Sequence, residues 1–190
     1  MMFGRKKLFA LLLLLIMGSL PCCITKHDEI FQKQLFDLNW KFGLGDFKTA
    51  NETGFDDFQW RNIDLPHDWS TDPVLTESFK NAESEEKTIK TGWYRKSFEI
   101  PENWVGKKIV IEFEGITSKN EIFINGVSVK HSEIGEQHTK ADLTANLNPK
   151  GKNMIAIRID IPNESNLTKA TETGIFRHVW LVISNGGMNP

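Results

Sequence analysis

The side chains best suited to acid–base work are Glu112 and Glu114, two carboxylates one residue apart. Hydrolysis of a glycosidic bond with retention needs a carboxyl pair about 5–5.5 Å apart. Residues i and i+2 of a strand lie about 6.5–7 Å apart from the rise alone, so the spacing alone does not exclude such a pair. The setting does. The run Lys107 to Glu114 (KKIVIEFE) alternates strictly, which puts both glutamates on the solvent face of a strand, where nothing raises one pKa and holds the other down. No catalytic residue is therefore expected in this chain. The five histidines, His27, His67, His131, His138 and His178, show neither HxxxH nor HExxH spacing, so no metal site and no cofactor are expected. GxSxG and GxxxxGK[ST] are also absent, which leaves nucleophile-elbow and P-loop chemistry without support.

Aromatic side chains are the other chemical resource. Six tryptophans and 13 phenylalanines stand against one tyrosine. An exposed ring can stack on the C–H face of a sugar, while a buried one fills a core. Core packing is the expectation for Trp40, Trp60, Trp93, Trp104 and Trp180. It is weaker for Trp69, which follows Pro66-His67-Asp68 in an apparent loop.

The elements that must position these residues read as strands. Met154 to Ile161 places Ile155, Ile157, Ile159 and Ile161 on one face and Arg158 and Asp160 on the other. Lys107 to Glu114 does the same, with Ile109, Ile111 and Phe113 inward. Asn125-Gly126 between two apolar-rich runs predicts a hairpin with a type I′ turn. Gly92 to Ile100 and Ile175 to Ser184 are further strands, rich in aromatic and β-branched residues. Lys48 to Asp57 and Ser70 to Lys90 are polar and aperiodic and read as long loops of functional interest. Many short strands with turn signals between them predict an all-β sandwich and exclude a parallel α/β fold.

Charge and length narrow the partners. Twenty-three basic against 25 acidic residues leave no cationic surplus for a phosphate backbone, so nucleic acid is not an expected partner. The length of 190 residues suits one domain and leaves no room for an additional barrel of ~250 residues. Arg5-Lys6-Lys7 followed by the apolar run Leu8 to Met17 predicts a secretory signal at residues 1–22, too short to span a bilayer. Leu20 and Cys22 set Cys23 in a lipoprotein-like context, so lipidation at Cys23 is a second expectation. The adjacent pair Cys22-Cys23 can form neither a disulfide framework nor a CxxC zinc site. The chain is thus expected to be exported, periplasmic or at the cell surface, touching a membrane only through that anchor.

Five segments together carry a resemblance. Asn39-Trp40-Lys41-Phe42, Ile63-Asp64-Leu65-Pro66-His67-Asp68-Trp69, Gly92-Trp93-Tyr94-Arg95-Lys96, the Phe123-Ile124-Asn125-Gly126 hairpin and Gly174-Ile175-Phe176-Arg177-His178-Val179-Trp180-Leu181 resemble the N-terminal sugar-binding domain of glycoside hydrolase family 2, most of all its β-galactosidase branch. The similarity runs from about Leu35 to Ser184. It implies a jelly-roll β-sandwich of galactose-binding-domain type over residues 31–185, with 186–190 opening a linker. It also implies carbohydrate, of β-galactoside type, as ligand, and a glycosidase barrel as partner, carrying the acid/base and nucleophile that this chain lacks. Loop-level carbohydrate contacts carry over to His67, Asp68, Trp69 and Arg177, against a structural alternative in which Asp68 caps a turn, Trp69 packs under the sandwich edge and Arg177 is a paired scaffold arginine. Two departures bear on that role. Ile89 stands where members often have Asn, and Thr168-Lys169 where they have Arg or Asp and then Trp. The alternative is a stand-alone lipid-anchored carbohydrate-binding module.

Overall fold

A computed structural model describes residues 32–80, 91–117, 119–133, 137–161 and 172–185. The signal and lipidation expectations at residues 1–22 and Cys23, the departures at Ile89, Thr168 and Lys169, and the linker at 186–190 lie outside them.

Two antiparallel sheets face each other. The larger has six strands in the order β3-β2-β5-β10-β7-β8: β3 is Arg61–Ile63, β2 Trp40–Leu44, β5 Thr91–Phe98, β10 Asn153–Asp160, β7 Asn120–Ile124 and β8 Val127–Ser132. The smaller has the order β1-β12-β6-β9: β1 is Gln32–Leu35, β12 Val179–Ser184, β6 Lys108–Phe113 and β9 Thr139–Asp142. Sequence neighbours often sit in different sheets, as the chain of a sandwich requires. A third, two-stranded sheet pairs β4 (His67–Asp68) with β11 (Gly174–Ile175) at one end.

Alternation built the core as predicted. Phe42, Tyr94, Ile157 and Ile122 form one row across four strands, and Leu181, Ile111 and Ala141 form a row on the facing sheet. All seven are buried. The hairpin between β7 and β8 turns at Asn125 (φ 50°) and Gly126 (φ 85°), the two positive angles that a type I′ turn demands. The Asn125 side chain also holds the neighbouring turn, donating to Asn146 O at 2.7 Å and accepting from Met154 N at 2.9 Å.

Three readings of the sequence need correction, and a fourth, the loop at Lys48 to Asp57, stands with a packing role added. The predicted strand from Ile175 to Ser184 is broken at residues 176–178, where Phe176 and Arg177 turn to donate their N–H groups to Gly115 O. Within the predicted loop Ser70 to Lys90, helix α1 occupies Pro73–Lys80. Asp72 caps it, accepting from Val74 N at 2.9 Å and Leu75 N at 3.3 Å, and Pro73 sits at the first helical position, where its missing N–H costs nothing. The stretch Lys48 to Asp57 lies on the outer face of the six-stranded sheet. Phe47, Phe55 and Trp60 form a second apolar cluster there with Ala50, Trp93, Phe123 and Ala156. Glu112, finally, faces outward but is only 8% exposed.

Arg95 holds that cover down. It is fully buried, donates from Nε to Asp57 at 2.8 Å and from Nη1 to the carbonyls of Ala50 and Glu52, and lies 5.3 Å from the Phe55 ring centre. A guanidinium with five donors suits this task because one side chain can capture several carbonyls at once.

Candidate functional site at the small-sheet end

Trp69 lies at the centre of the end where β4 pairs with β11. Its backbone lies in the turn after β4, and its indole is completely buried beneath the sandwich edge. Two glycines make the space. A Cβ on Gly92 would lie 2.5 Å from Trp69 Cη2, and one on Gly174 would lie 2.5 Å from Trp69 Nε1. Gly174 also has φ +95°, a conformation that L side chains rarely adopt. Three of the motifs picked out in the sequence therefore meet at one ring.

A continuous chain of polar contacts runs from that ring. Trp69 Nε1 donates to Tyr94 Oη at 2.7 Å, Tyr94 Oη lies 2.8 Å from His67 Nδ1, and His67 Nε2 lies 2.9 Å from Asp72 Oδ2. Arg61 Nη1 reaches the same carboxylate oxygen at 2.8 Å. Because Asp72 is held ionised and can only accept, it assigns the His67 proton to Nε2. Nδ1 is then left to accept from the phenol. Burial pushes His67 below its ordinary pKa, which keeps it neutral in this role. Burial works to raise Asp72, but hydrogen bonds from His67, Arg61 and Leu75 N outweigh it and hold the carboxyl below its usual value. Burial pushes the Tyr94 phenol far up, so it stays protonated.

Asp68 is half-buried and closes the loop by a different route. Its Oδ1 accepts from Ser70 N at 2.9 Å and from Thr173 N at 3.1 Å, tying β4 to the entry of β11. Arg177 stands apart on the surface, with Glu172 at 3.6 Å and the Phe176 ring centre at 5.9 Å. His67, Asp68 and Trp69 are thus brought together while Arg177 projects nearby into solvent. His67 and Trp69 offer no free ring face, and their geometry positions the loop that carries Asp68. Tyr94, Asp72, Arg61, Gly92 and Gly174 belong to the same assembly and were not singled out as site residues. For two of them a sequence signal exists: Asp72 precedes Pro73, a helix-start pattern, and Tyr94 is the single tyrosine of the chain.

The pair Glu112 and Glu114 is equally committed. Glu112 is gripped by Lys33 at 2.9 Å, His138 at 3.0 Å and Lys140 at 3.1 Å. Burial works to raise its carboxyl, but those three donors outweigh it and hold it at about 2. Glu114 accepts from Trp180 Nε1 at 2.9 Å. Glu112 is thus held far from the raised pKa of a general acid at neutral pH, and the Glu114 carboxylate is engaged by an indole N–H.

Fold and site together define a β-sandwich module whose polar groups hold loops in place and carry no proton-transfer pair among the described residues. The comparisons give that class a family. The family model described as glycosyl hydrolases family 2, sugar binding domain, matches residues 35–184. The β-galactosidase BoGH2A of Bacteroides ovatus is 37% identical over 147 residues, covering 77% of this chain and 17% of its own length. A β-glucuronidase of Formosa agariphila is 28% identical over 160 residues, covering 77% of this chain and 16% of its own. Among solved structures, a family 2 glycosyl hydrolase from Bacteroides cellulosilyticus matches with a TM-score of 0.68 at 33% identity, covering 81% of this chain and 21% of that one. A β-glycosidase from Bacteroides vulgatus matches at 0.67 and 35%, covering 81% and 20%.

The chain belongs to the sugar-binding domain family of the family 2 glycosyl hydrolases. It spans between 16% and 21% of the length of these relatives, and the strand pairs among its described residues are all antiparallel.

Proposed function

We propose that this domain is the non-catalytic front part of a β-galactosidase-like enzyme, presenting loop residues at the small-sheet end to the rim of a sugar pocket whose acid and nucleophile lie on a barrel. Asp68 and Arg177 are charged side chains at that end, and they are the contacts to a β-linked sugar hydroxyl. His67 and Trp69 set their position from beneath. The observation that carries this reading is the convergence of three family motifs on Trp69. The convergence fixes a loop end at the cost of two glycines and a buried polar chain.

The chain by itself is expected to be silent on aryl β-galactosides, β-glucosides and β-glucuronides. Turnover that disappears in Glu112→Gln would overturn the reading. Titration with galactosides separates it from the stand-alone carbohydrate-binding module: saturable binding by the chain alone favours the module, and binding only with a barrel present favours the rim. Export is part of the proposal, supported by the basic-then-apolar run ending before Cys23. Labelling with radioactive palmitate in a bacterial host, lost in Cys23→Ser, is the expected sign of the anchor.

A further inference from the structure

A turn between β1 and β2 ties together the two segments that carry Asp68 and Arg177. Asp37, 4% exposed, offers one carboxylate oxygen to the His178 ring, whose Nδ1 lies 2.7 Å away, and the other to Val179 N at 2.8 Å. Its backbone oxygen accepts from Leu65 N at 2.9 Å. Leu65 leads through Pro66 into His67 and Asp68, and His178 directly follows Arg177. One residue therefore holds both segments. The turn that presents it is fixed on its other sides. Phe36 N donates to Val179 O at 2.8 Å, and Asn39 N donates to Asp64 at 2.8 Å. From β5, Lys96 Nζ reaches the carbonyls flanking Asp37, Phe36 O at 3.1 Å and Leu38 O at 2.8 Å. The carboxylate is thus buried and fixed, whereas the His178 ring is 51% exposed and exchanges its proton with solvent.

We infer that Asp37 and His178 form a proton-dependent clip between the two segments, so that the charge on His178 sets how firmly the Arg177 side is held to the Leu65–Asp68 side. The inference rests on the proposed rim for its meaning, since it gives that rim a response to pH. A protonated ring adds ionic attraction to the Nδ1–H bond; a neutral ring keeps the bond and loses the attraction. The surrounding charges act on this pair from several elements. The Asp37 hydrogen bond raises His178, slight burial lowers it, and the charges of Asp37 and of Glu114, just past β6, raise it further. Arg177, next in the chain, is paired with Glu172 at 3.6 Å, and the Trp180 ring stands 6.2 Å away. On the far side of Asp37, burial lowers Lys96 to about 8 while Asp37 and Asp64 draw it up. His178 therefore titrates above 6.5, and His67, lowered by burial, titrates below it. The clip is closed below the folded His178 value and slackens as pH rises through it.

The test is a heteronuclear NMR titration of the full chain from about pH 5 to about pH 9, following the His178 ring and the amides of Leu65, Asp68, Arg177 and Val179. All four amides are expected to shift with the midpoint of His178, above 6.5. In His178→Gln that transition is expected to vanish at all four, and a change left at about 8 belongs to Lys96. In Asp37→Asn the His178 midpoint is expected to fall, and the Leu65 and Asp68 amides to stop following it. His178 is exposed, so His178→Gln keeps the test open should Asp37→Asn fail to fold. Leu65 and Asp68 amides that ignore His178 in the wild type, or that keep its transition in His178→Gln, overturn the inference. So does an unchanged midpoint, or amides that still follow it, in Asp37→Asn. No sugar enters this titration, so its failure leaves the rim reading untouched, and a rim that meets no sugar leaves the coupling in place.

Discussion

At the scale of single residues, the buried polar groups decide more than their number suggests. Tyr94 Oη takes the Trp69 N–H and gives its own proton to His67, so Tyr94→Phe leaves two buried ring nitrogens without a partner. An unmade buried hydrogen bond costs about 1–3 kcal/mol for each stranded group. Urea unfolding of Tyr94→Phe is therefore expected to show a loss of about 2–4 kcal/mol, and a loss under 1 kcal/mol would mean that the chain of contacts is not formed. Glu112 gives a pH-dependent counterpart. Its carboxyl is held at about 2 in the fold against an ordinary value near 4.5. The contribution is therefore present above the unfolded value and is lost as pH falls through the folded one. Discounted for its half-exposed partners, it is on the order of 2 kcal/mol. The stability gap between wild type and Glu112→Gln should be full at pH 6 and should close as acid approaches pH 2. A gap that persists unchanged there would refute the triple pairing. His178 runs the other way: its bond to Asp37 raises it, so that contribution is complete below the ordinary imidazole pKa and disappears as pH climbs through the folded value.

At the scale of elements, the parts legible in the sequence are those with a single apolar face. Ile155, Ile157 and Ile159 alternate because only one side of their strand meets the main core, and the Asn125-Gly126 turn is local chemistry. What stayed hidden depends on contacts between distant segments. Trp69 is buried because Gly92 and Gly174 each lack a Cβ, and no pattern near Trp69 records that. The cover over the six-stranded sheet stayed hidden for a similar reason, since Phe47, Phe55 and Trp60 keep no period and are gathered by Arg95 from another strand. These dependencies are measurable. Gly92→Ala is expected to be severely destabilising in wild type and much less so in a Trp69→Leu background, because the clash is with the indole at 2.5 Å. A double-mutant cycle should return a coupling of about 1–3 kcal/mol, and strict additivity would show that Gly92 is there for another reason. Arg95→Met should leave the sandwich folded but release the cover, read as faster proteolytic cutting between Asp46 and Trp60. Unchanged cutting would mean that the aromatic contacts hold it alone.

At the scale of the whole molecule, the domain is stable from its middle outward, and that ordering bears on how it could serve a larger enzyme. Strand β10 has β5 and β7 bonded along both edges, isoleucines on its inner face, and the aromatic cover over Ala156 on its outer face. Among the described residues, strand β1 has only β12 beside it, and all four of its residues are exposed. Amides with two bonded neighbours and both faces covered open only when the whole domain unfolds, whereas an exposed edge opens locally. The small-sheet end, bonded through one short pair and a buried side-chain chain, lies between these limits. Native-state hydrogen exchange is expected to place Ile155 to Ile159 at the global unfolding free energy, Ile175 below it, and Gln32 to Leu35 lowest. Protection of β1 equal to that of β10 would overturn this ordering and require a further segment or partner along the outer edge of β1.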